Sequence, residues 1–525
     1  MEHRFIAQNM RKIKFLEILA VVAAMALPQG MKAQCQIDYE AGVTVNAGDG
    51  NLAPHYIMAN RYGTITQANS ALVTARVSHA MDTTQRFSYG FGAEAWGGWA
   101  SDADYQRYEA GKWVNNAQHP SRAWLQQLYG ELKYRGVTLA AGVQQHRNKI
   151  IDAQLGSGDL VLSGNARPIP GVRAGFIDFQ NIPFTNGWVQ IDGELAYYKD
   201  LQDSWLENHY NFFSSSITRG SYSNYKRCYF RTKPDERLSV TVGMQAACQF
   251  LGERTIYFQG GIKEVQKSND TFKAFYKAFL PSGGSGGSVQ GDADYYEGNH
   301  LGSWDLAARY RLRDGSTLRG YFQKPFEDGS GIGLLNGWDG VYGIEYRTPK
   351  QGVLSGAVVE YFDFRNQSGP IHWASGDFPG TAIVDNATGS DDYYNNYFYN
   401  GYANRGMAIG TSVLLSPIYN SDGVIKFRHT RVQGFHVAIA GNVTPRLNYC
   451  AKVMYRKSWG TPYVPLLATE NATSAMIEGE YRLSGALPLT IKAQVALDHG
   501  TLTGNNAGCL VSVVYRGSIN KIKGK

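Results

Sequence analysis

Cysteine is scarce and odd in number, five in 525 residues. That count excludes a disulfide framework as the basis of the fold. Beyond the N-terminal region no apolar run reaches the ~18 residues of a membrane helix, which excludes a helical membrane protein. No Pro/Ser-rich linker and no change in composition divides the chain, although its length would suggest several soluble domains. No GxSxG elbow, HExxH pair, Walker loop or paired CxxC occurs. His79, His146, His429, His436 and His499 are scattered, and nothing couples one of them to a nucleophile. A lipid hydrolase is therefore the least supported class, and no enzyme, cofactor or metal site is expected. The net charge of +7 is small for this length; it permits an anionic partner and gives no reason to expect nucleic acid.

What the chain has in quantity is Gly (60), Tyr (34) and Trp (10). With a mean hydropathy of −0.33 it is too aromatic for disorder and too polar for a helical bundle. Membrane β-barrels combine aromatic girdles with a polar interior and fit this balance. The N-terminus supplies the export signal such a protein needs. Arg11, Lys12 and Lys14 precede an apolar run from Phe15 to Leu27, followed by Pro28, Gly30 and Ala33. This pattern reads as a signal peptide over 1–33, with Met10 an alternative start. Cys35 would lie near the mature N-terminus, but Gln34 is a poor residue for lipoprotein cleavage.

The segment Ser239–Phe250 alternates Ser, Thr, Gly and Gln with Val, Met, Ala and Phe. Side chains of a strand alternate between faces, so one face meets an apolar medium and the other a polar one. In a soluble sandwich the apolar face would be a core; in a membrane barrel it faces lipid. Two features favour the barrel. Asp305, Arg309 and Arg311 share one face of a strand, as do Lys492, Gln494 and Asp498. Connections also alternate in length. Short turns at 233–236, 313–316, 348–352, 442–445 and 484–488 separate long ones near 251–303, 327–337, 365–405, 457–474 and 499–508. Membrane barrels sort short periplasmic turns from long extracellular loops in this way. The expected fold is an all-β transmembrane antiparallel barrel of about 18 strands, with a range of 16–20. It would occupy 70–516, after an N-terminal segment at 34–69 and before a short tail at 517–525. Residues 406–415 are included as a strand, and the last strand as Leu510–Tyr515. Cys228 and Cys248 fall on adjacent strands and read as small apolar side chains rather than a disulfide.

The loops hold the candidate functional residues. Asp391–Asn400 gathers Asp391, Asp392, Tyr393, Tyr394, Asn395, Asn396, Tyr397 and Tyr399. Aromatic faces stack on the C–H surfaces of sugars while Asn and Asp bond hydroxyls, so this composition suits a polysaccharide. Asp292–Glu297 and the pair Trp96 and Trp99 are milder versions. Ordinary loop packing is the competing explanation. Asp391 and Asp392 alone are too few oxygen ligands for calcium.

At Leu155–Gly171 the chain resembles the Wzi family of capsule assembly proteins, most specifically at Ser163, Asn165, Ala166, Arg167, Pro168 and Pro170. Tyr321–Gly331, Trp338–Gly340, Tyr394–Asn396 and Gly401–Gly410 are similar to the branch found in Bacteroides-like bacteria. Gly164 stands where the family pattern has Asn, and Lys324 where it has His. The resemblance implies an outer-membrane barrel lectin that attaches capsular or exopolysaccharide to the surface of a Gram-negative cell. Implied partners are that polymer (an acidic one would suit Arg and Lys near the mouth), outer-membrane lipid and lipopolysaccharide, and the barrel assembly machinery, with the protein a monomer. Pro168 and Pro170 stiffen the motif, which suggests bracing of the barrel more than ligand contact. A porin or sugar channel is the alternative.

Overall fold

The computed structural model describes residues 36–120, 122–146, 148–268, 272–280, 298–327, 329–334, 336–369, 372–373, 387–388, 390–483 and 488–520. The expected signal peptide, Cys35, Asp292–Glu297 and the end of the C-terminal tail lie outside these residues. Each stave of the barrel pairs antiparallel with the next stave in sequence, short strands of the connections forming small separate sheets, and Gln36–Gly48 closes the ring against Asn506–Asn520. Gly171–Phe176 and Gln180–Asn181 both pair with Val189–Lys199 and form one broken stave. The result is a closed barrel of 18 staves. The first stave, Gln36–Gly48, lies ahead of residue 70, and the last runs on to Asn520.

The two-faced pattern becomes an inside and an outside. Val242, Val359, Ile477 and Val495 project outward and are about half exposed. Ser239, Gln245, Ser303, Asp305, Gln323, Glu360, Arg456, Ser474 and Gln494 project inward and are buried. This inversion of the soluble pattern is the arrangement that lipid around a barrel requires. Stacked rings mark the rims, among them Phe322 on Tyr342 (4.5 Å) and Phe435 on Tyr455 (5.8 Å). Cys228 and Cys248 occupy neighbouring staves but are offset, opposite Met244 and Asn224, and they do not form a disulfide.

Both ends of the barrel chain sit at the rim of the short turns. Two expected boundaries move. Pro465–Arg482 is an 18-residue strand, so 461–464 is a tight turn at the long-loop rim rather than part of a long connection. Thr461 fixes it by bonding Val464 through backbone and hydroxyl. Residues 406–415 are no stave. They are apolar and buried because they run through the lumen, where only Met407–Ala408 pairs, with Ala403–Asn404.

The described residues of three long connections, 49–69, 144–170 and 364–431, turn into the lumen and fill it. The first carries the short helix His55–Met58. The second and third have almost no regular structure, so side chains satisfy much of their backbone. On the outer wall, the helix Phe272–Phe279 covers Cys248 and Phe250, with Tyr197 donating to the Phe275 carbonyl (2.9 Å).

Val495 lies mid-stave on the outer face, opposite Ile477. Val495→Arg is expected to cost about 2–4 kcal/mol in urea unfolding of the bilayer-reconstituted protein. Val495→Leu should leave the midpoint in place.

Candidate functional site

The lumenal plug hangs on buried polar side chains of the wall. Asp159 is the centre. Its carboxylate accepts from Gln245 Nε2 (2.9 and 3.0 Å) and Gln323 Nε2 (2.7 Å), and from the backbone N–H groups of Val161 and Leu162. Glu360 accepts from the Ser157 N–H (2.8 Å) and the Tyr321 hydroxyl. His436 Nε2 donates to the Leu155 carbonyl (2.7 Å), which leaves Nδ1 to accept from the Tyr56 hydroxyl (2.8 Å). Gln494 and Gln126 donate to the carbonyls of Tyr56 and Tyr62, and Asp498 accepts from the His55 N–H. A buried polar group left without a partner costs about 1–3 kcal/mol, so wall and plug specify each other.

The family motif is the middle of this plug. Ser163 donates to the Gly410 carbonyl (2.6 Å), Asn165 to that of Ala408 (3.1 Å), and Asn404 to that of Arg167 (2.7 Å). Ala166 is buried in the same core. Tyr394 and Tyr402 donate their hydroxyls to the carbonyls of Leu160 and Val161. Gly410 is required here, because a Cβ would strike the Tyr394 hydroxyl and the Leu160 carbonyl.

The segment Asp391–Asn400 therefore does not form an open surface loop. Tyr393, Tyr394 and Tyr399 are buried, and Tyr393 donates to Asp339 (3.0 Å). Asn395 bonds the backbone of Phe427 in both directions, and Asn396 caps the Phe398 and Tyr399 N–H groups. Tyr397 alone of these tyrosines is well exposed, with the Arg254 guanidinium 4.0 Å from its ring centre. Asp391 accepts from Ser368, while Asp392 accepts from Thr430 and Asn395. Among the described residues no group of three or more His, Cys, Asp or Glu is placed to hold a metal. Burial pushes Asp339 and Asp392 up to about 6, and burial with the nearby Asp391 and Asp392 pushes Glu327 well above the usual range.

Toward the long-loop rim the inner wall presents a different surface. Trp96 and Trp124 stand directly opposite on adjacent staves, their indoles nearly parallel (8°, 6.1 Å). The register slips between Glu94 and Ala95, placing Gln126 as an extra residue that buries its amide while Trp124 stays beside Trp96. Trp96 donates to Glu94 (2.6 Å) and Trp124 to Gln126 (3.0 Å), which fixes both rings. The Arg167 guanidinium extends the stack, 4.7 Å from the Trp124 ring. Burial and the like charge of Arg405 both lower the Arg167 pKa. Neither arginine has an ion-pair partner among the described residues. Asp200 lies near Arg405 but is taken by Gln202 and Ser221. Trp205 closes over Gly406 and stacks on His209 (3.8 Å).

Of the predicted pair, Trp96 joins this cluster and Trp99 faces outward at the rim. Three residues apart on a strand, they must point to opposite faces. Trp124, Trp205 and Arg405 had no distinguishing signal in the sequence. Pro168 and Pro170 remain bracing residues beside Arg167.

No family model matches this chain, and neither does any curated protein. Solved structures do. Wzi of Escherichia coli, an outer-membrane protein involved in group 1 capsule assembly and a carbohydrate-binding β-barrel, aligns at a TM-score of 0.51. Identity is 11%, over 90% of this chain and 83% of that one. OccAB2 of Acinetobacter baumannii aligns at 0.47 with 10% identity, over 92% and 98% of the two chains. At 11% identity the likeness to Wzi shows a shared barrel fold.

Asp159→Ala removes the acceptor of four donors in the plug. The expected outcome is frequent channel openings in planar bilayers where the parent protein is quiet, with the barrel still assembled. A second expectation concerns pH. The carboxylates of Asp339 and Asp392 hold their protons more tightly folded than unfolded. Their stabilising share is whole below pH ~4 and is lost as pH rises through about 6. Hydrogen-exchange protection over 390–402, corrected for intrinsic rate, should fall between pH 5 and pH 7.5. Constant protection would refute this.

Proposed function

We propose that this chain is a non-enzymatic outer-membrane barrel that holds a polysaccharide at the cell surface, with its long-loop rim outward. The observation that carries the reading is the Trp96–Trp124–Arg167 stack, partly exposed on the inner wall above a filled lumen. Parallel indoles offer flat apolar faces to a pyranose ring. Arg167 and Arg405, without carboxylate partners among the described residues, supply forked donors for sugar hydroxyls or carboxylates. An acidic glycan is the natural partner of that pair. Trp205 and, further round the rim, Tyr397 over Arg254 are additional contacts for a repeating polymer. Many weak contacts retain a polymer well because linked sites rebind at high effective concentration.

The buried tyrosines Tyr393, Tyr394 and Tyr399 hold the platform, and with Asn395, Asn396, Asp391 and Asp392 they act on the glycan through the shape of the plug. Likeness to a carbohydrate-binding barrel involved in capsule assembly supports the reading. Under it, residues 1–33 are a cleaved signal peptide, and the mature monomer is inserted by the barrel assembly machinery among outer-membrane lipid and lipopolysaccharide. A porin is the alternative. The three inserted connections weigh against it, since their bonds to the wall occupy the path a solute would take.

Trp96→Ala with Trp124→Ala should weaken retention on a column of the host's capsular or exopolysaccharide by about tenfold, from the ~0.5–1.5 kcal/mol of each aromatic contact. Migration of the unheated barrel on gels should not change. Deleting the gene should release polymer into the medium with synthesis intact; a capsule that stays attached would sink the proposal.

A further inference from the structure

The short-turn rim carries a second unusual surface. Staves Tyr222–Thr232, Leu238–Phe250, Asn299–Arg311 and Thr317–Phe326 lie side by side, and they turn Arg231, Arg309, Arg311 and Arg319 toward the lumen. Register sets Arg309 directly opposite Arg319. Like charges so placed destabilise a sheet. Arg309 lies within electrostatic reach of the other three and of Asp235, and Arg231 within reach of Asp178, Asp192 and Asp235, the first two already paired with Lys149 and Arg227.

The acceptors are poor in charge. Arg231 donates to the Gln190 side-chain carbonyl (3.0 and 2.6 Å), and Arg309 and Arg311 both donate to the Pro234 carbonyl. Among the described residues only Arg319 of the four pairs with a carboxylate, Glu345, which also takes Arg347. The Nε atoms of Arg309 and Arg319 are buried and find no acceptor. Arg231 is held in place with its guanidinium 3.9 Å from the Phe179 ring centre. A fixed, partly exposed set of forked donors, most of them held by neutral oxygens, lines the mouth on this side.

We infer that this arginine cluster binds a multivalent oxyanion, phosphate- or carboxylate-bearing, that approaches from the short-turn side. Guanidinium forks match the paired oxygens of either group, and a low-dielectric mouth lined by one sign of charge concentrates the opposite sign. The site is separate from the tryptophan stack, with the plug between them.

Equilibrium dialysis of the full-length protein in detergent micelles against labelled pyrophosphate tests it, with tetragalacturonate as competitor. One equivalent should bind saturably, and ~0.5 M NaCl should abolish it. Arg231→Gln and Arg309→Gln should each weaken binding about tenfold or more, Arg309→Lys by less, and Trp96→Ala not at all. Competition by tetragalacturonate well below the pyrophosphate concentration assigns the site to carboxylates; its absence assigns it to phosphates. No saturable uptake of either probe by an assembled barrel, or uptake that Arg231→Gln and Arg309→Gln leave unchanged, would overturn the inference. If Arg309→Gln fails to assemble, Arg231→Gln and Arg311→Gln decide.

Discussion

A barrel of 18 staves has an inner wall lined with amides, carboxylates and imidazoles, and each of these groups must be met by water or by protein. Here protein meets much of it. The carboxylate of Asp159, gripped by Gln245 and Gln323 from two different staves, is the point on which the arrangement turns. It fixes Leu160 and Val161, whose carbonyls then accept from Tyr394 and Tyr402 on a segment more than two hundred residues away. The wall thereby orders two connections that have hardly any secondary structure of their own.

Everything proposed about function stands on that filling. A filled lumen turns the barrel from a conduit into a platform with two separate faces. On the long-loop side the motif segment carries Arg167 up against Trp124, and Asn404 ties Arg405 into the same corner. On the short-turn side the staves themselves gather arginines with few anions to oppose them. The rigid staves set the spacing of both groups, so neither needs a mobile loop to form.

The barrel was legible because lipid imposes a pattern with period two and a reversed polarity. Ser239 and Gln245 against Val240 and Val242 announce it in a single stave. Charged residues such as Asp305 and Arg309 show which side is wet. The alternation of connection lengths gave the two rims. It fails at 461–464, where Pro465–Arg482 extends past its neighbours and needs only a tight turn. It fails again at 406–415, where an apolar stretch reads as a stave although its apolar side chains pack inside the plug.

The candidate site was less legible. The Asp391–Asn400 composition fits a sugar site and a densely bonded plug equally well, because both demand aromatic faces beside amides and carboxylates. Trp96 and Trp99 could have been separated by counting, since odd spacing on a strand splits them between faces.

By itself the sequence determined the membrane barrel, its approximate size and the faces of its staves, since these follow from local periodicity and the solvent each face must meet. Only the tertiary structure decided that the lumen is filled, that the tyrosine-rich segment is interior, and that Trp96, Trp124, Arg167 and Arg405 share a corner. Those facts depend on contacts between residues far apart in the chain, and no local pattern encodes which distant carbonyl a buried hydroxyl will find.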